Sequence, residues 1–240
     1  MNNTTTPNST LFLDAFTDIE HKLKEICHEQ YHMGFLELIR KAQSFNKIVR
    51  KFSTDLKEFA ELRNAIIHTR RENFVIAEPH DDIVNEIGRI RDLLYDPPRV
   101  NLLTTVKLFV VSPSTPIIEV LKGIAQRNIM HIPVIENNSL RYLLTAKTLA
   151  RWMAGNIHET DTLRKAFVAD VIPFIEKQDY AVVNNQTDLF EVVELFRNTL
   201  KGGMHLQAII ITHDGRPVMP LLGIITASDL PKILGLTGSK

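Results

Sequence analysis

The chain has 240 residues, of which 44% are hydrophobic and 23% are charged, so it has room for one or two domains with apolar cores. Its 28 basic and 28 acidic side chains give a net charge of zero, which excludes nucleic-acid binding by bulk electrostatics alone. No apolar run approaches the roughly 20 residues of a membrane span, and the single Cys27 excludes an internal disulfide. We therefore predict a cytoplasmic protein that has neither a membrane nor DNA as a partner.

The first 98 residues divide into a tail and a helical region. Residues 1–10 are uncharged and rich in Asn and Thr, which predicts a disordered tail without the features of a signal peptide. From residue 11 to residue 98 apolar residues recur at helical spacing. The pattern predicts four helices: one with an apolar stripe over 11–26, one over about 34–45, one that starts near residue 53, and one that follows Pro79. We expect a helical bundle over 11–98 that ends at Pro97 and Pro98.

Three polar residues stand together in the third predicted helix. Asn64 and His68 are four residues apart and share a helix face, whereas Arg63 lies about 140° round the axis from His68. One interpretation is a surface arginine and a helix-end histidine, which the helix dipole favours. The other interpretation is a functional group of residues.

Arg63, Asn64 and His68 resemble the motif of HEPN domains, and the segment 77–80 resembles bacterial members of that family. The resemblance implies a homodimer. In active members it also implies RNA cleavage without a metal, with His68 as general acid or base, Arg63 on the scissile phosphate and Asn64 as a positioning group. Other members only dimerise or bind RNA, so RNA is a candidate partner of the helical domain.

From residue 100 onward, strands alternate with helices and the pattern occurs twice. Segment 107–121 overlays segment 179–193 at a shift of 72 positions, from residue 107 to residue 179. Each copy reads strand, helix, strand, strand, helix, and Thr115 and Thr187 are the predicted N-caps of the first helix in each copy. We predict two repeats, over residues 99–160 and 161–236.

The second repeat closes on the stretch Gly223-Ile-Ile-Thr-Ala-Ser-Asp-Leu230. Its first half predicts a buried strand, and its second half leads directly into a helix. Unpaired N–H groups at a helix start favour a phosphate, while the hydroxyl of Thr226 and the carboxylate of Asp229 suit the hydroxyls of a ribose. Alternatively, Ser228 or Asp229 only caps the helix.

This stretch, together with His131-Ile-Pro-Val134, resembles the signatures of CBS repeats, the cystathionine-β-synthase-type module, over about residues 100–236. The resemblance implies an α+β fold: an N-terminal all-α bundle followed by two βαββα repeats that pack with pseudo-two-fold symmetry. It also implies a ligand site. Thr226 and Asp229 would contact ribose and phosphate, with Gly223, Ala227 and Ser228 beside them, and Ile172, Pro173 and Val182 would contact a purine. His131 is a candidate partner for a phosphate, and the alternative is an ordinary surface residue.

The first repeat departs from the family pattern. Tyr142 stands at the glycine position and Thr148 at the aspartate position, whereas Thr145 is kept. Without the carboxylate a ribose diol loses its bidentate partner, and Tyr142 can fill the space. We expect the first-repeat site to be weak or empty.

The resemblance favours a regulatory CBS-pair protein that binds an adenosine-type nucleotide. AMP, ADP or ATP would serve, as would S-adenosylmethionine or cyclic di-AMP, and no metal is required. The HEPN-like domain would provide dimerisation and output. One alternative is a nucleotide-regulated, metal-independent HEPN ribonuclease, and a second is a scaffold that binds nothing.

Overall fold

The computed structural model describes residues 6–29, 33–68, 77–103, 108–156, 164–175, 180–201 and 206–238. The chain divides into two compact units, Met1–Pro98 and Arg99–Lys240. Within the described ranges, no helix is long and apolar enough to cross a membrane.

The first unit is helical throughout its described elements. The helices are α1 (Asn8–Cys27), α2 (Phe35–Ala42), α3 (Lys47–Lys51), α4 (Ser53–His68) and α5 (Asp81–Tyr95). Helix α1 lies along α5 and contacts α2 and α4. The apolar stripes meet in a core whose fully buried side chains include Phe12, Ile19, Leu38, Leu56, Ile66 and Ile87. Removal of these apolar surfaces from water is the main driving force for this arrangement.

Helix α1 starts earlier than the sequence pattern predicts. Residues 8–10 are its first turn and not part of a tail, while residues 1–5 lie outside the described residues. The Asn8 side-chain amide donates to the Pro79 carbonyl at 3.0 Å and to an Asp81 carboxylate oxygen at 2.7 Å. The Ser9 N–H donates to a Glu78 carboxylate oxygen at 3.0 Å. Hydrogen bonds to a distant segment therefore order residues that local composition predicts as a tail.

Helix α3 is absent from the four-helix prediction. The side-chain oxygen of Asn46 accepts hydrogen bonds from the N–H groups of Ile48 and Val49, both at 3.0 Å, so Asn46 is its N-cap. Ile48 and Val49 are buried. At five residues α3 is too short to show helical periodicity, and only the Asn46 cap signals it in the sequence.

The second unit holds two successive α/β repeats. Its elements are α6 (Ile117–Arg127), β1 (His131–Glu136), β2 (Ser139–Thr145), α7 (Ala146–Gly155), α8 (Val168–Val171), β3 (Tyr180–Asn184), α9 (Leu189–Lys201), β4 (Ala208–Thr212), β5 (Leu221–Thr226) and α10 (Leu230–Leu236). Short 3₁₀ turns occupy Val100–Leu103, Ile172–Phe174 and Ala227–Asp229. The predicted α+β class is confirmed.

The two sheets are unequal. In the second repeat β3 runs parallel to β4, and β4 pairs antiparallel with β5, which gives the full βαββα order. In the first repeat β1 and β2 form an antiparallel pair, and Val111 adds one parallel bridge to Val134. Within residues 108–156 the expected opening strand is therefore reduced to that bridge.

The two repeats exchange their leading segments. The first-repeat core is built on Ile117, Val120, Ile132, Val134, Leu144, Leu149 and Trp152. It also takes in Ala166, Val168 and Val171, which lie at the start of the predicted second repeat. The second-repeat core is built on Val183, Leu189, Val192, Phe196, Ile209, Ile211, Ile225 and Ile233, and it takes in Val100 from the start of the predicted first repeat. The predicted boundary at 160/161 lies outside the described residues.

A third apolar cluster joins the two sheets. Leu140, Ile210 and Leu221 are buried in it, with Leu108, Val110, Ile135, Tyr180, Val182 and Ile224 packed around them. Corresponding positions of the two repeats occur together in it: Val110 with Val182, and Leu140 with Leu221. The shared cluster is consistent with pseudo-two-fold packing of the repeats.

The first helix of each repeat begins one residue later than the predicted caps. Helix α6 follows Pro116, and the Thr115 hydroxyl accepts the Ser112 N–H at 2.9 Å in the preceding turn. Helix α9 follows Asp188, whose carboxylate accepts the Glu191 N–H at 2.8 Å. The prediction that Thr115 and Thr187 are N-caps is wrong, because the preceding turn engages Thr115 and the Asp188 carboxylate is the stronger acceptor.

Candidate functional site

Thr226 and Asp229 meet at the carboxyl end of β5. The Thr226 N–H donates to Asp229 Oδ2 at 2.8 Å, and the Thr226 hydroxyl donates to the same oxygen at 3.1 Å. Both side chains are half-buried, whereas Ala227 and Ser228 between them are exposed. The helix-capping interpretation therefore holds for one oxygen of Asp229. No described residue donates a hydrogen bond to its other oxygen, Oδ1.

The sequence predicts that the strand leads directly into an α-helix, but in the structure a turn separates the two. The 3₁₀ turn Ala227–Asp229 lies between them, and α10 has only seven residues with Pro231 in its first turn. A helix this short has few aligned peptide dipoles, so its start attracts a phosphate only weakly. The local chemistry of the site is mainly that of the Asp229 carboxylate and its Thr226 partner.

The strand register shows which residues lie level with Thr226. Ala208 pairs with Thr226 and also with Tyr180, so these three residues form one row across β3, β4 and β5. Val182 lies two rows further along the sheet, level with Ile210 and Ile224, and packs in the cluster between the sheets. Spacing along the chain does not indicate Tyr180, because its place beside Thr226 follows from strand pairing.

Gly223 is buried in β5 opposite Ile211, three residues before Thr226. The expected purine contacts Ile172 and Pro173 belong to a turn that packs on the first repeat. Ile172 is half-buried against the first-repeat core, Pro173 is exposed, and the turn Ile172–Phe174 lies against α7. The described contacts therefore bring Thr226 and Asp229 together and assign Ile172 to the first-repeat core.

His131 links the two repeats. It begins β1 in register with Thr145, and its half-buried side chain forms a hydrogen bond with Gln207, which precedes Ala208. Burial lowers the pKa of His131, and the Gln207 hydrogen bond opposes that shift only in part. A neutral imidazole at pH 7 is a poor partner for a phosphate, so charge does not support the phosphate role expected of His131.

The equivalent position in the first repeat is closed. The Thr145 hydroxyl accepts the Thr148 N–H at 3.1 Å and lies 3.0 Å from the Thr148 hydroxyl. Both threonines are buried, at 8% and 6% exposure. Tyr142 packs against the first-repeat core. The two hydroxyls bond to each other and are shielded from solvent, and no carboxylate is present for a ligand.

In the helical unit, Arg63 and Asn64 line a groove of about 710 Å³ between α1, α2 and α4. An Arg63 guanidinium nitrogen donates to the Asn64 side-chain oxygen at 3.1 Å, and the guanidinium lies over the Phe16 ring, 5.9 Å from its centre. Glu20, Glu37 and Glu61 line the same groove. The side chain of His68 lies outside the described residues.

No cluster of three or more His, Cys, Asp or Glu side chains able to hold a metal ion occurs among the described residues.

Comparison with known proteins identifies the second unit. The family model for the CBS domain matches residues 100–155 and 168–235, which together make up just over half of the chain. An uncharacterized 33.4 kDa protein in a ribosomal RNA operon of Thermofilum pendens is 23% identical over 145 residues, which are 58% of this chain and 45% of that relative. The chain thus spans less than half the length of this relative.

Several solved CBS structures resemble the chain at low sequence identity. The CBS domain of a membrane protein from Sphaerobacter thermophilus has a TM-score of 0.46 at 19% identity and covers 63% of this chain and 98% of its own. The CBS domain pair of protein MJ0100, in complex with methylthioadenosine and S-adenosyl-L-methionine, has a TM-score of 0.44 at 17% identity and covers 60% and 100%. CBSX2 in complex with AMP has a TM-score of 0.41 at 20% identity and covers 60% and 99%. On the family match, the chain belongs to the CBS domain family and carries two copies of the domain.

Proposed function

We propose that this CBS-pair protein is a regulator that binds an adenosine-type nucleotide at the end of β5 in its second repeat. The observation that carries the proposal is the half-buried Asp229 carboxylate. Thr226 orients one of its oxygens through two hydrogen bonds, while no described residue bonds to the other. An oriented carboxylate with a free oxygen is a ready acceptor for a hydroxyl.

Electrostatics indicates how such a ligand would lie. Asp229 would accept hydrogen bonds from the two hydroxyls of a ribose, and the charged phosphates would lie away from it because like charges repel. AMP, ADP and ATP meet this requirement, and S-adenosylmethionine offers the same two ribose hydroxyls without a phosphate. Cyclic di-AMP offers one free hydroxyl per ribose, because its other ribose hydroxyls are esterified, so we expect it to bind more weakly at Asp229. Hydroxyl, carboxylate and backbone groups suffice for this binding mode, so the proposal requires no metal.

Calorimetric titration with these five compounds tests the proposal. We expect saturable binding of at least one by the wild-type protein. We expect Asp229→Ala to weaken it at least about tenfold, because a hydrogen bond to a charged group contributes roughly 1.5–3 kcal/mol. Glu119→Ala removes an exposed carboxylate from α6 in the first repeat and is the matched control, with unchanged affinity. Binding that survives in Asp229→Ala would place the ligand elsewhere.

We further propose that the helical unit is a HEPN-like domain that forms a homodimer and carries the output, on the strength of the Arg63, Asn64 and His68 spacing. Sedimentation equilibrium of the full chain tests this directly. A monomer at micromolar concentration, with and without the ligand found by calorimetry, would contradict it.

A nucleotide-regulated ribonuclease is the second candidate, and the groove favours it. Arg63 and Asn64 both line that groove, where Arg63 could hold a phosphate and His68, one turn beyond Asn64, could transfer a proton. Three glutamates and a second arginine, Arg40, also line the groove. The three carboxylates outnumber the two guanidinium groups and oppose phosphate binding, which ranks this candidate below the regulator.

RNA cleavage assays with and without AMP, in the presence of a chelator, test the ribonuclease candidate. We expect His68→Ala to abolish cleavage while the circular dichroism spectrum is kept. His21→Ala, at an exposed site on α1, is the control that should cleave normally. Equal cleavage by wild type and His68→Ala would assign the activity to a contaminant. If the folded wild type neither binds a nucleotide nor cleaves RNA, the scaffold alternative stands.

A further inference from the structure

The segment that follows Pro98 opens the first repeat along the chain, yet it anchors on the second repeat. We call residues 99–103 the strap. Arg99 forms an isolated antiparallel bridge with Asp188 and contacts the Gln186 side chain. The Val100 N–H donates to the Thr187 carbonyl at 2.9 Å. The strap is thus hydrogen-bonded to the turn that begins α9.

Apolar packing reinforces these bonds. Val100 is fully buried in the second-repeat core with Leu189, Val192 and Ile225, and Leu103 packs against the same core. The 3₁₀ turn Val100–Leu103 lies against β5, the strand that ends at Thr226. Because a close-packed core is hardly compressible, a shift of β5 displaces the strap residues that pack against it.

The first repeat makes no comparable use of the strap among the described residues. Its core is completed by Ala166, Val168 and Val171, which lie after it in the chain. The strap therefore belongs to the repeat that carries Asp229, and the repeat with the closed Thr145–Thr148 pair is bypassed. Chain order alone would assign it the other way.

We propose that the strap transmits occupancy of the second-repeat site to the helical unit. Ligand at Thr226 and Asp229 stabilises β5, β5 and α9 hold Val100, and residue 99 is joined directly to the end of the first unit. The inference rests on the proposed nucleotide binding and adds its route. In thermodynamic terms, the ligand favours the docked strap, and by reciprocity a docked strap raises ligand affinity.

The test uses the full chain, AMP as the probe, and hydrogen exchange read by NMR. In the wild type we expect saturating AMP to slow exchange of the Val100 amide at least about fivefold, a typical allosteric coupling, and to change exchange in the last turn of α5. Should AMP not be the ligand, the measurement is repeated with whichever of ADP, ATP, S-adenosylmethionine or cyclic di-AMP binds in calorimetry.

Two variants in the same turn separate transmission from binding. Val100→Ala removes the buried anchor, whereas Leu102→Ala changes a side chain that is 60% exposed and serves as the matched control. We expect Val100→Ala to bind AMP about fivefold more weakly and, at saturation, to lose the response of α5. Leu102→Ala should keep both. Because the wild-type exchange measurement needs no variant, it decides the question even if Val100→Ala fails to fold.

The outcomes separate the two claims. Binding that depends on Asp229 but leaves the Val100 amide and α5 unchanged would overturn the strap and keep the nucleotide sensor. An α5 response that persists in saturated Val100→Ala would overturn the strap as the route. No binding of any of the five compounds by folded wild-type protein would overturn the sensor and the strap together.

Discussion

The two repeats end their last strand on the same residue type and then differ in what that residue contacts. In the first repeat Thr145 bonds to Thr148, and both are buried. In the second repeat Thr226 bonds to Asp229, and both remain half-exposed. A threonine at this position thus closes one strand end and orients a carboxylate at the other. The residue three positions later and its exposure determine whether the strand end is only a structural contact or a candidate ligand site.

The repeats also distribute core volume differently. In the first repeat Phe109 packs on α6 at Gly123, where a Cβ would come within 2.5 Å of the Phe109 ring. At a shift of 72 positions the second repeat has Ala181 and Leu195, which both pack against its core. In the first repeat the large residue precedes the helix and the small one lies on it, whereas in the second repeat the small residue precedes the helix and the large one lies on it. The same topology therefore accommodates two different packings when the total volume is kept.

The largest expected effect on the free energy of unfolding comes from a large side chain at Gly123 while Phe109 is still present. Gly123→Leu should destabilise the protein by about 3 kcal/mol, because the new side chain overlaps the Phe109 ring. The double change Phe109→Ala, Gly123→Leu copies the second repeat and should recover all but about 1 kcal/mol. Urea unfolding measures both values.

Gly88→Leu in α5 is the matched control, since nothing lies within 4 Å of a Cβ there. Leucine favours a helix over glycine, so we expect this variant to gain about 0.5–1 kcal/mol. If the double variant is no more stable than Gly123→Leu, the volume exchange is not what relates the two repeats.

A smaller effect follows from transplanting the carboxylate. Thr148→Asp places an acid in the first repeat at the position of Asp229, but this position is only 6% exposed. We expect a loss of about 1–3 kcal/mol from desolvation of the carboxylate, without any gain of nucleotide binding. Urea unfolding and calorimetry measure the two quantities.

A second binding site in Thr148→Asp would show that the carboxylate alone accounts for the difference in nucleotide binding between the repeats, and that burial of position 148 does not prevent binding. Asp229→Thr is the reverse exchange. It should weaken binding at least about tenfold, as expected for Asp229→Ala, while it changes stability by less than about 1 kcal/mol, because its position is half-exposed.

The smallest expected effect concerns the contact between the repeats. Burial holds the pKa of His131 in the folded state below its usual value of 6.5, so the unfolded chain binds more protons near that pH. Stability should therefore fall as the pH drops from 7 to 5, by well under 1.4 kcal/mol per pH unit for a half-buried group.

His131→Gln should flatten this pH dependence, as measured by urea unfolding at each pH. Hydrogen bonds lower the pKa of Glu25, Glu78 and Asp214 below their usual values of 4.5 and 3.8, so these carboxylates titrate outside this window. Identical pH profiles for wild type and His131→Gln would show that the imidazole does not contribute to the contact between the repeats.

Much of the fold could be predicted from the sequence because its signals are local. The apolar stripes of the long helices, the repeated strand and helix pattern, and the closing stretch 223–230 all identify elements without knowledge of their neighbours. The sequence does not predict α3, because five residues are too few to show helical periodicity. It predicts residues 8–10 as a tail, because their hydrogen-bond partners lie some 70 positions away.

The candidate site was predictable only in part. Thr226 and Asp229 are three residues apart, so their contact follows from a single turn of chain. Tyr180 lies level with Thr226 through two strand pairings, and His131 reaches Gln207 from the other repeat. Such placements depend on register and on the packing of two sheets, which spacing along the chain does not encode.

Residue identity and short-range order are enough to predict the CBS pair, the helical region before it and the difference between Asp229 and Thr148. Long-range packing, in contrast, buries Thr148, anchors the segment after Pro98 in the second repeat and completes the first repeat with residues 166–171. The physical reason is that burial of apolar side chains is non-directional: Val100 packs wherever the folded chain leaves an apolar site for it, irrespective of its order in the sequence.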